Sequence, residues 1–204
     1  MDICLLTPTS SQPGDCLNAD ALRQRYPRPV IVAISPFGRS GPRAHWRASD
    51  LELMAAGGAM SLAGEPDGTP LRVSKPQACG WAGAHAALGA LIALNKRDAT
   101  GYGDLVDVSA QASVVIAAAH APAFFDLDGV VPKRAGAFLT GRSIKGARYR
   151  VFWRCRDGWL NFIFYGGVAG RRTNERLVSR FRRSYHFAAC PVTNVGSKGT
   201  LATL

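Results

Sequence analysis

A chain of 204 residues with a formal net charge of +11 is long enough for one domain, or for one domain and part of a second. The charge is uneven, since residues 1–132 carry ten Lys/Arg against twelve Asp/Glu, whereas residues 133–204 carry fifteen against two. That pattern excludes a uniformly basic nucleic-acid-binding protein and leaves a basic C-terminal part as the feature that would meet anions.

Five cysteines, at positions 4, 16, 79, 155 and 190, form no CxxC pair and no zinc-like spacing with His. Reduced thiols in a cytoplasmic protein without a metal are therefore expected. The apolar runs at 82–94 and 110–125 fall short of a membrane span, and His120 and Pro122 interrupt the second. No basic region precedes an apolar core at the N-terminus, so neither a membrane anchor nor a secretory signal is expected.

In chain order, residues 1–20 read as an irregular start, with Thr, Pro, Ser and Gly crowded into 7–14. Residues 18–26 read as a short helix with Asn18 as N-cap. The run PVIVAIS at 29–35 is a buried strand of the kind parallel sheets use, continuous in apolar residues and punctuated at both ends. A Gly/Pro/Arg loop follows at 36–46, at the carboxyl end of that strand, where open α/β sheets bind ligands. Arg39, Arg43 and Arg47 could meet phosphates there or could simply be solvated.

Ser49 fits an N-cap with Asp50 and Glu52 in the first turn of a helix reaching Ala56. Gly57 and Gly58 then end that helix or let the backbone pass close to a ligand. Residues 71–74 read as an arm or strand, 75–80 as a Pro-marked break, and 82–96 as an Ala/Gly-rich helix. Lys96 and Arg97 lie in its last turn, with Gly101 soon after. A strand at 105–109 follows. Residues 110–121 fit a strand or a helix, and 122–148 read as a linker. Asp157-Gly158, flanked by 149–155 and 159–164, is the strongest hairpin signal in the chain. Residues 179–204 have no visible amphipathic period.

Several of these stretches, taken together, resemble one known family. ISPFGRSGP at 34–42, AGGAMSLAGEPDG at 56–68, PLR at 70–72, Ala82-Gly83 and TGYGDLVDVS at 100–109 are similar, in order and spacing, to the family III CoA-transferases. That group includes the carnitine/bile-acid CoA-transferases and the 2-methylacyl-CoA racemases. The resemblance covers about residues 21–178.

It implies an α/β fold: part of an open, parallel-sheet, nucleotide-fold-like large domain at 21–121, a linker at 122–148, and the start of a small domain at 149–178. It also implies truncation, because full-length relatives open with a βα unit that supplies part of the CoA pocket, and residues 179–204 have no counterpart. Residues 110–121 become a helix leading into the linker.

Functionally, the resemblance implies movement of CoA from an acyl-CoA to a carboxylic acid. CoA or acyl-CoA is then the substrate and no metal takes part. In the family, an Asp four residues before the motif Gly attacks the thioester and then carries CoA. With that Gly on Gly83, the nucleophile position holds Cys79. A thiolate can take the acyl group by thioester exchange, but joined to the sulfur of CoA it gives a disulfide, not a carrier. Cys79 is thus either an acyl acceptor or a small apolar residue at a helix start.

The racemase branch pairs a His with an Asp. Its Asp falls on Cys79 and its His near Ser49, so neither residue is present, and His85 and His120 read as core histidines. Arg47 matches a basic CoA-contacting position, Arg72 and Lys75 flank the site, and Gly57 and Gly58 match a flexible Gly-rich loop near it. Family members form interlocked homodimers, a form not expected for this chain; membrane and nucleic-acid partners are not expected either. The alternative is a non-catalytic fragment whose basic C-terminal part binds anionic partners nonspecifically.

Overall fold

The computed structural model describes residues 1–7, 18–140, 148–164 and 167–185. The loop expected at 8–14, the linker glycines at 141 and 146, and the tail at 186–204 lie outside the described residues. The chain divides into two compact units, residues 1–147 and 148–204.

Unit 1 is built on a parallel sheet of β1 (Ile3–Leu6), β2 (Val30–Ser35) and β3 (Leu105–Ser109), in the order β1-β2-β3. Ile3 pairs with Val30, and Ile31 with Leu105. The expected strands at 29–35 and 105–109 are therefore present and hydrogen-bonded to each other. β1 is a correction, because residues 1–20 read as an irregular start. A four-residue strand on a sheet edge has too few residues to show a period, and its partner lies far along the chain.

Because β2 is central, both of its faces are covered. Val30 and Val32 face a cluster made with α2 (Asp50–Ala56), α3 (Ala78–Thr100) and α4 (Ala110–Ala117), while Ile31 and Ala33 pack with Leu6 and Ala19. This two-sided burial is why the strand sequence is apolar without alternation.

α1 (Ala19–Arg25) begins as the sequence expects, with Asn18 Oδ1 accepting the N–H of Asp20 at 2.9 Å. α3 lies over the sheet through Ala78, Ala82, Ala86, Ala90 and Ala93, all buried and spaced on one helix face. Small side chains bring helix and strand close together. At Gly89 the approach is so tight that a Cβ would lie 2.6 Å from Val106 Cγ1.

The opposite face of α3 exposes Leu88, Leu91 and Ile92. α3 is also longer than the apolar run suggested, and its 23 residues are apolar enough to cross a membrane by length and composition. Its packing on β2 and β3 makes it a core helix of this unit.

After β3, the helix implied for 110–121 is observed as α4, followed by α5 (His120–Asp128) and a short β4 (Phe138–Thr140). α5 shows that residues 122–128, within the stretch read as an irregular linker, are helical. Pro122 sits in its first turn, where a missing N–H leaves no helical bond broken.

Unit 2 holds β5 (Arg148–Arg150), β6 (Phe152–Arg154), β7 (Trp159–Asn161) and α6 (Gly167–Tyr185). β6 and β7 pair antiparallel around Asp157-Gly158, with the Cys155 N–H donating to the Gly158 carbonyl at 2.8 Å. The expected hairpin is present with shorter strands.

α6 overturns the reading of residues after 178 as lacking a helical period. It runs unbroken through Arg180 and Arg183, placing Leu177, Val178 and Phe181 on one side. Arg172, Arg176, Arg180 and Arg183 fall on the other.

Candidate functional site

Helix α3 begins at Ala78, four residues earlier than the sequence suggested, so Cys79 lies in its first turn rather than in a break before it. The Cys79 thiol is exposed and free. A packed apolar role, which burial would have supported, is therefore not how the side chain is placed. Backbone N–H groups in a first turn have no intrahelical partner and favour anions nearby.

One of those N–H groups is answered from a distance. Asp50, the first residue of α2, accepts the Ala78 N–H through Oδ1 at 2.9 Å. Gln77, at the N-cap position of α3, makes no side-chain capping bond. The second oxygen, Asp50 Oδ2, is buried without a hydrogen-bond partner among the described residues.

The start of α2 is itself well capped, since the Glu52 carboxylate accepts the Ser49 N–H at 2.5 Å. That backbone bond, followed by one with the Ser49 side chain, holds the Glu52 carboxyl below the usual range. Ser49, near the racemase His position, is thus a helix cap.

At the far end of α2, the helix stops at Gly57, and Gly58 adopts φ +84°. A Cβ on Gly57 would collide with the Val114 side chain of α4. The first glycine therefore answers to helix packing, and the second to a left-handed turn that leads into a 3₁₀ segment at Ala59–Leu62.

The GEPDG turn beyond is tied down by a residue the sequence reading left in the linker. The Arg134 guanidinium donates to the carbonyls of Gly68 at 2.9 Å, Glu65 at 3.2 Å and Ser61 at 3.4 Å. The Gly136 N–H adds a bond to the Gly64 carbonyl at 3.0 Å. The strand or arm expected at 71–74 is irregular chain, joined back by the Leu71 N–H to the Ala63 carbonyl at 3.1 Å.

Among the candidate cations, Arg39 is engaged with the Asp20 carboxylate, and its N–H donates to Asp107. Arg43 stacks over the Trp46 ring at 5.4 Å. Arg47, Arg72 and Lys75 are exposed. Among the described residues, no hydrogen bond or ion pair ties them to Cys79 or to each other. The structure thus joins Cys79, Asp50 and the Gly57–Gly58 turn through α2 and α3, and leaves the three cations as free surface charges. Among the described residues, no three His, Cys, Asp or Glu side chains group as a metal site requires.

The family model for CoA-transferase family III matches residues 16–180. The chain belongs to that family. Among curated relatives of this family III chain is the succinyl-CoA:(R)-benzylsuccinate CoA-transferase subunit BbsE of Thauera aromatica. It is 33% identical over 147 residues, which are 72% of this chain and 34% of the relative.

A probable CoA-transferase of Mycobacterium tuberculosis is 36% identical over 69% of this chain and 18% of its own length. The acetyl-CoA:oxalate CoA-transferase of Acetobacter aceti is 35% identical over 58% of this chain and 31% of its own. A solved CaiB/BaiF family protein from Brucella suis superposes with a TM-score of 0.66 at 22% identity, covering 91% of this chain and 48% of that one. The fold is therefore that of the family, and the chain spans about a third or less of the length of these curated relatives.

Two site residues escaped the sequence reading in their actual roles. Asp50 looked like a first-turn carboxylate of its own helix, and nothing local shows that it caps another one. Arg134 carried no motif; its function is legible only once the GEPDG turn is folded beside it.

Proposed function

We propose that this chain supplies part of the acyl-CoA-binding face of a family III CoA-transferase while lacking the carboxylate that carries CoA. The observation that carries the reading is Cys79, exposed in the first turn of α3 four residues before Gly83, where the family has its Asp. Membership in the family and the likeness to three CoA-transferases support acyl-CoA as the substrate class and a carboxylic acid as the family's acceptor.

In this chain Arg47, Arg72 and Lys75 would hold the phosphates of CoA, as exposed cations that no hydrogen bond or ion pair engages among the described residues. The thiolate of Cys79 can attack an acyl-CoA thioester, forming S-acyl Cys79 and releasing CoA as its thiolate. The chemistry ends there, because no carboxylate at position 79 can take CoA onward. A cytoplasmic location belongs to the same reading.

Calorimetry with CoA at low salt tests it: weak heat that fades as salt rises supports the phosphate contacts. No heat at millimolar CoA contradicts them. Mass spectrometry after incubation with an acyl-CoA then shows whether an adduct maps to Cys79.

A second reading rests on α6, whose Arg171, Arg172, Arg176, Arg180 and Arg183 are exposed and face only one acidic residue of the helix, Glu175. It makes unit 2 a nonspecific binder of anionic partners. Salt-dependent retention on arbitrary DNA, without CoA binding, would favour that reading over the first.

A further inference from the structure

The Ala78 N–H is the first of α3 and has no partner inside its own helix, so its hydrogen bond to Asp50 Oδ1 is what satisfies it. The partner arrives from a different helix, twenty-eight residues earlier in the chain. A carboxylate in this position does two things. It accepts a hydrogen bond, as a neutral amide oxygen also could, and it brings a negative charge to the positive end of the helix that presents Cys79.

Among the described residues the second oxygen, Oδ2, is buried and has no hydrogen-bond partner.

We infer that Asp50 is the positioning residue of the Cys79 site: it sets the first turn of α3 and offsets the helix charge that would otherwise favour a thiolate at Cys79. The inference rests on the reading of position 79 as the reactive position, but not on CoA binding. Other charges close in the sequence are Lys75, three residues before Ala78, and, beside Asp50, Glu52 two residues after it and Arg47 three before it; all three are exposed and screened by salt.

The two roles separate by substitution, since Asp50→Asn keeps an acceptor and loses the charge, while Asp50→Ala loses both. The experiment measures amide exchange at Ala78 and iodoacetamide alkylation of Cys79 at fixed neutral pH, with exposed Cys155 as internal reference. In Asp50→Ala the Ala78 amide should exchange roughly fivefold faster, the loss typical of a helix cap. In Asp50→Asn it should stay within about twofold of the parent.

Alkylation of Cys79 relative to Cys155 should rise about threefold in both variants and shrink toward the parent value in high salt. An Asp50→Asn protein that alkylates at the parent rate refutes the charge role. Unchanged Ala78 exchange in Asp50→Ala refutes the capping role. Should Asp50→Ala unfold, seen as fast alkylation of half-buried Cys4, the Asp50→Asn arm alone decides. None of these readouts uses CoA, so failure of CoA binding leaves them unaffected.

Discussion

The sheet of residues 1–147 and the hairpin of residues 148–164 are built from similar residues, aliphatic and aromatic side chains on short strands, yet the first buries them far more completely. Val30, Ile31 and Val32 of β2 are at most 1% exposed, whereas Phe152, Trp159 and Leu160 of the hairpin are 42%, 67% and 52% exposed. The difference lies in what covers each strand. β2 has a neighbour strand on both sides, α3 against one face and α1 against the other. β6 and β7 are three residues long, and a two-stranded unit of that length cannot enclose a core by itself. A strand's sequence supplies apolar surface; the layers around it decide whether that surface stabilises anything.

The strongest way to break the comparison is a matched pair of truncations. Ile31→Ala should cost about 3 kcal/mol in urea unfolding, through lost burial and the cavity left behind. Trp159→Ala should change stability by less than about 1 kcal/mol, since most of that side chain is already in water. Equal costs would mean that the hairpin is enclosed in a way its exposure does not show.

Next in size is the close approach between helices. Gly57→Val forces a side chain into Val114 and should destabilise by about 2 kcal/mol, read as a lower thermal midpoint. Gly57→Val combined with Val114→Ala should recover part of that loss, because the two sites share one space. Absence of any recovery would place the strain elsewhere.

How far these features were legible follows the range of the interactions behind them. The caps of α1 and α2 were readable because Asn18, Ser49 and Glu52 act within three residues of the groups they satisfy. β2 and β3 were readable because burial on both faces leaves a continuous apolar run.

The start of α3 was placed too late. Residues 75–80 read as a Pro-marked break, and the cap that lets the helix begin at Ala78 comes from Asp50, far back in the chain. α5 was not expected because the glycines at 129, 136, 141 and 146 make this stretch read as irregular, and Pro122 is tolerated only because it lies in the first turn. α6 was missed because its arginines dominate the composition and hide a thin apolar stripe at Leu177, Val178 and Phe181. Cys79 was singled out through the family resemblance, which puts the nucleophile position four residues before Gly83. Arg134 was not found, because three backbone carbonyls from a distant turn leave no mark on the sequence around it.

A smaller effect belongs to that turn. Arg134→Ala removes the donors that hold residues 61–68 and should raise limited proteolysis there several-fold. The expected stability loss is only about 1 kcal/mol, as the turn is largely exposed. Unchanged cleavage would show that the Gly136 and Leu71 backbone bonds suffice.

The smallest effect is a pH dependence confined to unit 1. The hydrogen bond from Lys96 to Asp104, with the Leu105 N–H and the nearby Arg23 charge, holds the Asp104 carboxyl below its ordinary range. A carboxylate lowered on folding stabilises above its unfolded value and loses that contribution as pH falls through the folded one. Stability should therefore drop on acidification below about pH 4. Asp104→Asn should flatten that slope while changing stability at pH 7 by less than about 1 kcal/mol, because Lys96 is largely in solvent. A slope identical in the variant would assign the acid sensitivity to other carboxylates.

The central claim is that position 79 decides what this family III chain can do with an acyl-CoA. The most direct measurement follows transfer of CoA from an acyl-CoA to a carboxylic acid by the unaltered chain, with product CoA-ester detected by mass spectrometry. The account predicts no transfer above background, because the Cys79 thiol can hold an acyl group but cannot carry CoA as a thioester. Robust transfer by the chain with Cys79 in place would contradict it and show that the nucleophile lies elsewhere.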